Sequence, residues 1–454
     1  MATFTVTNLN DSGAGSLRQA VTDANATVGA DTINFAAGLA GGTLVLTSTQ
    51  LSIANDITIT GDTNGDKRAD ITISGNNTNR IFDITGANAD VVLNSLTLTN
   101  AGNAGAYGGA IKVGAGANET LVINDTTIQN STSFQGGAIY SSGGAGVTIS
   151  NSLISNNSSS TDSFSGGGIY INTGSLTLIG TTMTGNQANQ NGGAIGAVGG
   201  ATVLAVNSTI TNNIADANGA VNNAGGGIFQ SGATVNLVNT VVAGNASGTG
   251  ATANDINGTI ALADHSVFGT APTITTNTAS LINIANVGLG ALGNHGGSTN
   301  TFNINPESVL INAGNNSIGA TIDANGGPRI VAGTVDVGAT EFKLVVTTLA
   351  DTAANDGQLS LREAIALANA NAGADTITFA ASLAGGTITL ASKLLLTQDI
   401  TINGDVNGDK KADITISGGG TTRIFHEIGP ATDVALQSLR LVNGAATGPG
   451  LAGY

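Results

Sequence analysis

A motif of two glycines, a small residue and an isoleucine returns five times between residues 108 and 228. The copies are Gly108-Gly109-Ala110-Ile111, Gly136-Gly137-Ala138-Ile139, Gly166-Gly167-Gly168-Ile169, Gly192-Gly193-Ala194-Ile195 and Gly225-Gly226-Gly227-Ile228. Their isoleucines are 28, 30, 26 and 33 residues apart, a spacing at which one supersecondary unit stacks on the next. Because glycine enters positive-φ corners without steric cost, each pair suits a sharp turn, and the following isoleucine is expected in the core. The motif therefore predicts a solenoid.

Pairs of asparagines six residues apart bracket a β-branched stretch in most of these intervals. The pairs are Asn94 and Asn100, Asn124 and Asn130, Asn151 and Asn157, Asn207 and Asn213, and Asn239 and Asn245, with Gly180 and Asn186 in the remaining coil. Runs such as 147–149 and 176–179 lack a helical period, so the coils are expected to consist of strands. Asparagines one repeat apart would lie about 4.8 Å apart, and we expect their amides to bond from coil to coil.

The composition agrees with a stacked fold and excludes several classes of partner. Sixty-seven glycines, no cysteine, no tryptophan and 9% charged residues do not describe an ordinary globular domain, while 41% hydrophobic residues is too much for a disordered chain. The net charge of −16 argues against nucleic acid and anionic membranes, which usually require basic patches. We find no apolar run long enough for a membrane span and no visible N-terminal signal peptide. Long acidic chains without cysteine suit export, and we expect an extracellular or cell-surface protein.

A second repeat is about 343 residues long, because the sequence of residues 343–454 is similar to that of residues 2 to about 112. Gly29-Ala30-Asp31-Thr32-Ile33-Asn34-Phe35 returns as Gly373-Ala374-Asp375-Thr376-Ile377-Thr378-Phe379, and Asp70-Ile71-Thr72-Ile73-Ser74-Gly75 returns as Asp413-Ile414-Thr415-Ile416-Ser417-Gly418. We predict one complete module at 1–342, made of a cap (1–35), coils (36–250) and a closing segment (251–342). Residues 343–454 would begin a second module, as in a piece of a longer tandem protein.

Each module opens with a short segment that has a helical pattern. Ser16 and Ser360 are predicted N-caps, with Gln19 and Glu363 three residues later completing a capping box. An apolar stripe that includes Leu17 would pack this helix across the first coil and cover its open strand edges. We expect Arg18 and Arg362 to serve the cap rather than catalysis.

Three segments resemble known bacterial surface proteins. Leu359-Ser360-Leu361-Arg362-Glu363-Ala364-Ile365 resembles the Cys-Ser-Leu-Arg-Glu-Ala signature that opens many surface β-helix proteins, with leucine at the cysteine position. The Gly-Gly-Ala-Ile coils resemble the repeats of polymorphic outer-membrane proteins, although Ile or Met replaces the phenylalanine of the usual Phe-x-x-Asn half. The segments 289–299, 311–315, 327–329 and 335–342 resemble the closing segment of such proteins, often described as a choice-of-anchor domain. The resemblance implies a fold and a location, and it implies no ligand.

Two acidic loops carry the clearest chemistry in the sequence. The oxygen donors of the first are Asp62, Asn64, Asp66, the backbone carbonyl of Arg68, and Asp70; those of the second are Asp405, Asn407, Asp409, the backbone carbonyl of Lys411, and Asp413. Donors at positions 1, 3, 5, 7 and 9 suit a hard cation such as Ca²⁺. The spacing resembles the calcium loops of FG-GAP repeats, except that Lys67 and Lys410 stand where glycine is usual. The alternative is a solvated acidic turn between two strands.

A polysaccharide lyase or hydrolase is the rival hypothesis, because parallel β-helices also carry such enzymes. The acids between residues 84 and 250 are Asp90, Glu119, Asp125, Asp162 and Asp216, with Lys112 as the cation of this region. Asp90 and Glu119 could be neighbours on adjacent coils, although exposed turn positions are the expectation. His265, His295 and His426 show no metal-ligand spacing. Thr-x-Thr pairs such as Thr97 and Thr99 suggest ice binding as a third hypothesis. The irregular recurrence of these pairs argues against it.

The sequence thus predicts an all-β protein, a right-handed parallel β-helix with a short N-terminal capping helix. Its expected role is structural: a calcium-stabilised extracellular rod that forms a filament or surface layer, or that displays an adhesive face. Self-association or neighbouring modules are the expected partners, and surface glycans are a further candidate.

Overall fold

The computed structural model describes residues 1–114, 116, 118–161, 164–219, 225–249, 252–306, 308–331, 333–353, 358–370, 374–428 and 432–445. The chain divides into two compact units. Unit 1 comprises Met1–Asn303, Ala313–Arg329 and Asp336–Glu341. Unit 2 comprises Ile304–Asn312, Ile330–Val335 and Phe342–Tyr454.

Four long sheets run through the coils of unit 1. The eleven-stranded sheet contains Thr3–Val6, Asp31–Phe35, Ile57–Thr60, Asp90–Asn94, Thr120–Asn124, Gly146–Ser150, Ser175–Ile179, Thr202–Val206, Thr234–Val238, Thr259–Asp264 and Thr273–Thr278. The nine-stranded sheet contains Thr43–Val45, Ile71–Ser74, Leu96–Thr99, Thr127–Gln129, Leu153–Ser155, Thr182–Thr184, Thr209–Thr211, Val241–Ala243 and Val267–Phe268. The eight-stranded sheet contains Leu51–Ile53, Phe82–Ile84, Ile111–Val113, Ile139–Ser141, Ile169–Asn172, Ile195–Val198, Ile228–Ser231 and Ile256–Asn257. The seven-stranded sheet contains Gly102–Tyr107, Thr132–Gln135, Ser158–Ser159, Gln187–Ala188, Ile214–Ala215, Ala246–Ser247 and Thr252–Ala253.

Neighbouring strands in these sheets come from successive coils and pair in parallel, apart from the antiparallel pair that ends the seven-stranded sheet. Ile139, for example, pairs with Ile111 on one side and Ile169 on the other. The isoleucine of every Gly-Gly motif is fully buried. The predicted parallel β-helix is therefore confirmed, and the repeat motif marks its coils.

The two glycines of the motif are required for different steric reasons. Gly136 has φ 65°, in the left-handed region where a side chain costs energy. A Cβ on Gly137 would lie 2.2 Å from the carbonyl oxygen of Gly167 in the next coil. The second glycine is thus required because adjacent coils approach too closely for any side chain.

A buried column of asparagine amides crosses four coils, as predicted for Asn157, Asn186, Asn213 and Asn245. The prediction is wrong for Asn130, which is one position out of register, so that Ser131 is the residue that donates to Asn157. The bonded pairs are Asn157 with Asn186, Asn186 with Asn213, Asn213 with Asn245, and Asn245 with Asp255, at 3.0, 2.9, 2.9 and 2.9 Å. The acceptor that ends the column is an aspartate, which the sequence pattern did not indicate. Burial raises the pKa of Asp255, and hydrogen bonds from Asn245 and Thr270 oppose that rise. The column ties each coil to the next through the protein interior.

The other asparagine column differs from the prediction by one residue. Asn124 donates to Asn94 at 3.0 Å, but its partner in the following coil is Ser150. Asn151 instead takes a left-handed corner with φ 47°. Asparagine tolerates this conformation because its short side chain bonds locally, so the residue type marked the corner without fixing the register.

Helix α1 (Leu17–Ala26) lies across the first coil and buries Leu17, Ala20, Val21 and Ala24. Ser16 is its N-cap, as predicted, and accepts from the backbone of Gln19. The predicted reciprocal bond from Gln19 is wrong, because its side chain donates to Asp23 at 2.7 Å. Arg18 binds Asp11 at 2.6 Å, which anchors the helix to the preceding turn.

Unit 2 repeats the beginning of unit 1. Its strands are Leu344–Val346, Asp375–Phe379, Ile400–Asn403 and Val434–Gln437 in one sheet, Thr387–Thr389, Ile414–Ser417 and Leu439–Val442 in a second, and Leu394–Leu396 with Phe425–Glu427 in a third. Helix α2 (Leu361–Ala370) has the complete capping box, since Ser360 N donates to Glu363 at 2.8 Å and Glu363 N donates to Ser360 Oγ at 3.2 Å. Short 3-10 turns lie at Ala37–Leu39, Asn316–Ile318 and Ala381–Leu383.

The part of the closing segment that belongs to unit 1 covers one outer face of the β-helix. Thr182 and Thr209 of the nine-stranded sheet point away from the core, yet both are buried. The backbone of Ala339 donates to Thr209 Oγ1 at 3.0 Å, and Gly338 donates to the carbonyl of Asn239 at 2.8 Å. The strands Leu289–Gly293 and Thr301–Ile304 form a small separate sheet. A flat, open array of threonines is therefore not available in these coils.

Glu119 occupies an unexpected position. The expected exposure holds for Asp90, although it begins the strand Asp90–Asn94 rather than a turn. The expectation is wrong for Glu119, whose side chain is fully buried and whose two oxygens have no hydrogen-bond partner among the described residues. The strand register places it in a column with Ala89 and Ala145.

We therefore expect Glu119→Ala to raise the free energy of unfolding by about 1–3 kcal/mol, because it removes a buried polar group without a partner. Denaturant unfolding measures this change, and Asp90→Ala is the exposed control; destabilisation by Glu119→Ala would contradict the argument.

Asp375 supplies a pH test of unit 2. Burial raises the pKa of its carboxyl from 3.8 to about 6. Because the folded state holds the proton more tightly, this group favours folding at pH below 3.8, and the contribution is lost as the pH rises through 6. Hydrogen-exchange protection of the strand Ile400–Asn403 should fall between pH 4 and 6.5 in the wild type. Asp375→Asn should flatten this profile, and an unchanged profile would refute the assignment.

Candidate metal-binding loops

The first acidic loop connects the strands Ile57–Thr60 and Ile71–Ser74 at a corner of the β-helix. Asp62 Oδ1 accepts from the backbone of Gly65 at 2.7 Å, and Asp62 Oδ2 accepts from Lys67 at 2.9 Å. Burial would raise the pKa of Asp62, but backbone hydrogen bonds from Lys67, Asn64 and Gly65 hold it below its usual value. The loop therefore keeps this carboxylate ionised and oriented.

One lysine in each acidic loop has an unusual backbone conformation. Lys67 has φ 66° and Lys410 has φ 62°, both in the left-handed region. These lysines thus take the conformation that glycine adopts freely, at a cost of about 1 kcal/mol.

The second loop brings three carboxylates together. One oxygen from each of Asp405, Asp409 and Asp413 lies within 4.8 Å of the others, and no other trio of acidic or histidine side chains in the described ranges meets this distance. Two oxygens that each lie about 2.4 Å from one Ca²⁺ ion are at most about 4.8 Å apart. The spacing of the second loop therefore fits a calcium ion.

The two loops differ in the residues that compete with a cation. In the first, Thr63 Oγ1 donates to Asp70 at 2.6 Å, whereas Val406 has no hydroxyl at the matching position. Arg68 turns away and donates to the carbonyl of Gly296 at 3.1 Å. In the second, Lys411 Nζ lies 3.0 Å from Asp409. The cationic side chain thus neutralises a ligand in the loop where the carboxylates converge.

The hydrogen bonds of the two Asn ligands are the same. Asn64 and Asn407 each accept from the backbone two residues later at 2.9 Å and point their amide nitrogen at the final aspartate, 3.4 Å away. Asp66 and Asp409 likewise accept from the backbone of Arg68 and Lys411. The two loops therefore share the same local hydrogen-bond pattern.

A further polar cluster escaped the sequence analysis. Asp83 accepts from Gln50 at 2.7 Å and from Arg80 at 3.2 Å, and Lys112 of the next coil lies 3.6 Å from its other oxygen. The 343-residue repeat was a signal for it, since Arg80 returns as Arg423. In unit 2, His426 replaces Asp83 and contacts Lys393, at 2.8 Å. The acid is therefore particular to unit 1.

The acids of the coils do not converge. Asp90 lies on the eleven-stranded sheet, while Asp125 lies at a corner and accepts from Ser298 at 2.7 Å. Burial raises the pKa of Asp125, and the hydrogen bond from Ser298 opposes that rise. Asp216 is buried after the strand Ile214–Ala215, and Asp162 lies outside the described residues. No two of the described members share a single cleft in this arrangement.

The histidines have separate partners. His265 Nδ1 lies 2.6 Å from Asp264, and His295 Nε2 lies 3.2 Å from the carbonyl of Ala291. With His426 beside Lys393 in unit 2, they occupy three distinct places.

No protein-family model matches the chain, and no curated protein matches it either. Solved structures similar to it include an allergen and a pectate lyase. The major allergen from cedar pollen, Jun a 1, shares 15% identity over 61% of this chain and 80% of its own, with a TM-score of 0.40. The pectate lyase Pel9A shares 14% identity over 76% of this chain and 97% of its own, with a TM-score of 0.46.

Proposed function

We propose that this protein is a structural rod of an extracellular or cell-surface assembly, in which stacked coils set the length and the surface serves for self-association or adhesion. The observation that carries the proposal is the buried amide column from Asn157 to Asp255, which bonds successive coils into one stack. A β-helix lengthens by about 4.8 Å for each added coil, so tandem modules extend reach simply.

The location and kinship are parts of the same proposal. Both α-helices have ten residues, and within the described ranges no helix has the length and apolar character needed to cross a bilayer. The complete capping box of Ser360 and Glu363 supports the resemblance to surface β-helix proteins. We extend the proposal to residues 1–342 as one module and 343–454 as the start of another.

Calcium is the proposed ligand of both acidic loops. Asp405, Asp409 and Asp413 would hold it in the second loop, with Asn407 and the carbonyl of Lys411 as further oxygen donors. Asp62, Asn64, Asp66, Asp70 and the carbonyl of Arg68 would serve in the first. The ion would cross-link the ends of each turn and stabilise the corner.

Chelation should therefore lower the melting temperature, and added calcium should restore it. Calcium at about one hundred times its dissociation constant stabilises a folded protein by about 2.7 kcal/mol for each site. Asp405→Asn combined with Asp409→Asn should remove the calcium response of unit 2, measured by hydrogen exchange of the strand Ile414–Ser417. Asp433→Asn combined with Glu427→Gln, which removes two exposed acids of the same unit, is the charge-matched control. Equal responses in both variants would reject the site.

A polysaccharide-binding or polysaccharide-cleaving protein is the second candidate. The observation that favours it is the cluster of Arg80, Asp83 and Lys112, in which one carboxylate lies between two cations on the outer face of the eight-stranded sheet. Release of unsaturated products from polygalacturonate, abolished by Lys112→Ala, would establish a lyase.

Electron microscopy of the protein with millimolar calcium, and again after chelation, tests the first proposal. Regular filaments or sheets that loosen without calcium are the expected result. Separate short rods under both conditions would refute assembly and leave the saccharide alternative.

A further inference from the structure

Three of the four tyrosines stack on one another outside the β-helix. The Tyr107 and Tyr140 ring centroids are 4.7 Å apart with an interplanar angle of 20°, and those of Tyr140 and Tyr170 are 5.4 Å apart with an angle of 16°. Tyr140 thus uses both faces within the stack, and Tyr170 is buried. Tyr107 remains 42% exposed, so it is the ring of the stack that a ligand can reach.

The strand that carries Tyr107 lies at an edge of its sheet. Gly102–Tyr107 is the first strand of the seven-stranded sheet, and within the described ranges its partner strand is Thr132–Gln135. On the opposite side, the preceding coil supplies the turn around Asn79 and Arg80 instead of a strand, and Gly102 N donates to the Asn79 carbonyl at 3.2 Å. The edge therefore borders a short turn, which leaves space beside it.

A cavity of about 330 Å³ lies at this turn, lined by Thr49, Gln50, Ser52, Thr78, Asn79 and Arg80. Arg80 joins the cavity to the aromatic stack, since its Nη2 donates to the carbonyl of Tyr107 at 2.6 Å. The volume falls within the range of small-molecule sites, which begins at about 300 Å³. One buried side chain thus connects the polar cavity to the backbone of the residue that carries the exposed ring.

The lining favours an uncharged, hydroxyl-rich ligand. The guanidinium of Arg80 already bonds to Asp83, Gln50 Oε1 and the carbonyls of Tyr107 and Gly108, so its charge is compensated and an anion gains little. Ser52 Oγ and Asn79 Oδ1 form no hydrogen bond within the described part of the chain, and they can take new partners. An apolar ligand would leave these groups unpaired.

We propose that this cavity and the Tyr107 ring form a binding site for an uncharged oligosaccharide. One sugar ring lies on Tyr107 through its apolar face, and the hydroxyls of its neighbour bond to Ser52 and Asn79. The site rests on the proposed surface role, to which it gives a partner: a neutral glycan of a neighbouring cell or matrix. It is independent of the metal loops and of assembly into filaments.

Tyrosine fluorescence tests the site directly, because the chain has no tryptophan and three of its four tyrosines belong to the stack. The probes are cellohexaose, chitohexaose and mannohexaose, with hexagalacturonate as the charged comparison, titrated into the full chain and repeated by calorimetry. We expect at least one uncharged probe to bind and to change the emission. Tyr107→Ala should weaken that binding about tenfold, while Tyr107→Phe should retain it.

Phe164→Ala is the matched control. Phe164 is 47% exposed and stacks on Phe229 at 5.6 Å, so this change also removes an exposed ring from an aromatic pair. It should leave affinity unchanged. Equal losses in Tyr107→Ala and Phe164→Ala, binding of hexagalacturonate alone, or no binding of any uncharged probe at millimolar concentration would each overturn the proposal. If microscopy showed filaments and no saccharide bound, the proposed binding site would be rejected while the proposed structural role would stand.

Discussion

Arg329→Met should lower the free energy of unfolding of unit 1 by about 3–5 kcal/mol, the usual effect of removing one partner of a buried ion pair. Arg329 is 1% exposed, and its Nη1 lies 3.2 Å from Glu341. Its Nη2 donates to the carbonyls of Asp336 and Gly338, both at 2.8 Å. One side chain thus fixes three positions of the closing segment.

The surrounding acids make this loss large. Asp323 and Asp336 are also buried, and Asp323 Oδ2 accepts from the backbone of Glu341 at 3.0 Å. Burial and the charge of Asp336 raise the pKa of Glu341, against the lowering influence of Arg329, which favours the charged carboxylate. Removing the arginine would leave three buried acids without their cation, which opposes folding most at high pH.

Denaturant unfolding at pH 7 and pH 9 measures this effect. The control is Arg68→Met, which removes an arginine that contacts the same segment at Gly296 from the surface, and which should cost less than about 1 kcal/mol. Equal effects of the two substitutions would show that the buried cluster has no special role.

Asn213→Ala should destabilise unit 1 by about 3–5 kcal/mol. Asn213 Nδ2 donates to Asn245, Met183 O and Thr211 O, and Asn213 Oδ1 accepts from the backbone and the side chain of Asn186. All of these groups are buried, so the substitution leaves several donors and acceptors unpaired, at about 1–3 kcal/mol each. The loss should appear as faster hydrogen exchange in the coils on either side.

Asn189→Ala is the comparison for this substitution. Asn189 also bonds between coils, donating to Ser160 O at 3.2 Å, but it is partly exposed and water can replace the bond. We expect a change below about 1 kcal/mol. If Asn189→Ala destabilised unit 1 as much as Asn213→Ala, burial would not be the reason that the asparagine column stabilises the protein.

The coils could be predicted from the sequence because each stacked coil needs the same residue types at the same positions, so the repeat spacing gives the coil length. Glycine pairs, isoleucines and asparagines recur once for each coil, so Ile111 and Asn213 could be assigned to core and ladder without coordinates. The helix was also readable, since Ser16 and Leu17 show the local signals of a cap and an apolar stripe. The acidic loops could be recognised in the sequence because the oxygen donors of each loop lie within nine residues.

Only the tertiary structure decided what depends on contacts between distant residues. The one-residue shift at Asn151, the burial of Glu119 and the packing of Ala339 on Thr209 all depend on register and on which surfaces meet. The same holds for the link between Arg80 and Tyr107, which are 27 positions apart. Sequence spacing specifies which residues repeat, whereas three-dimensional packing decides which of them are covered, and burial sets the free energy of every polar group in this protein.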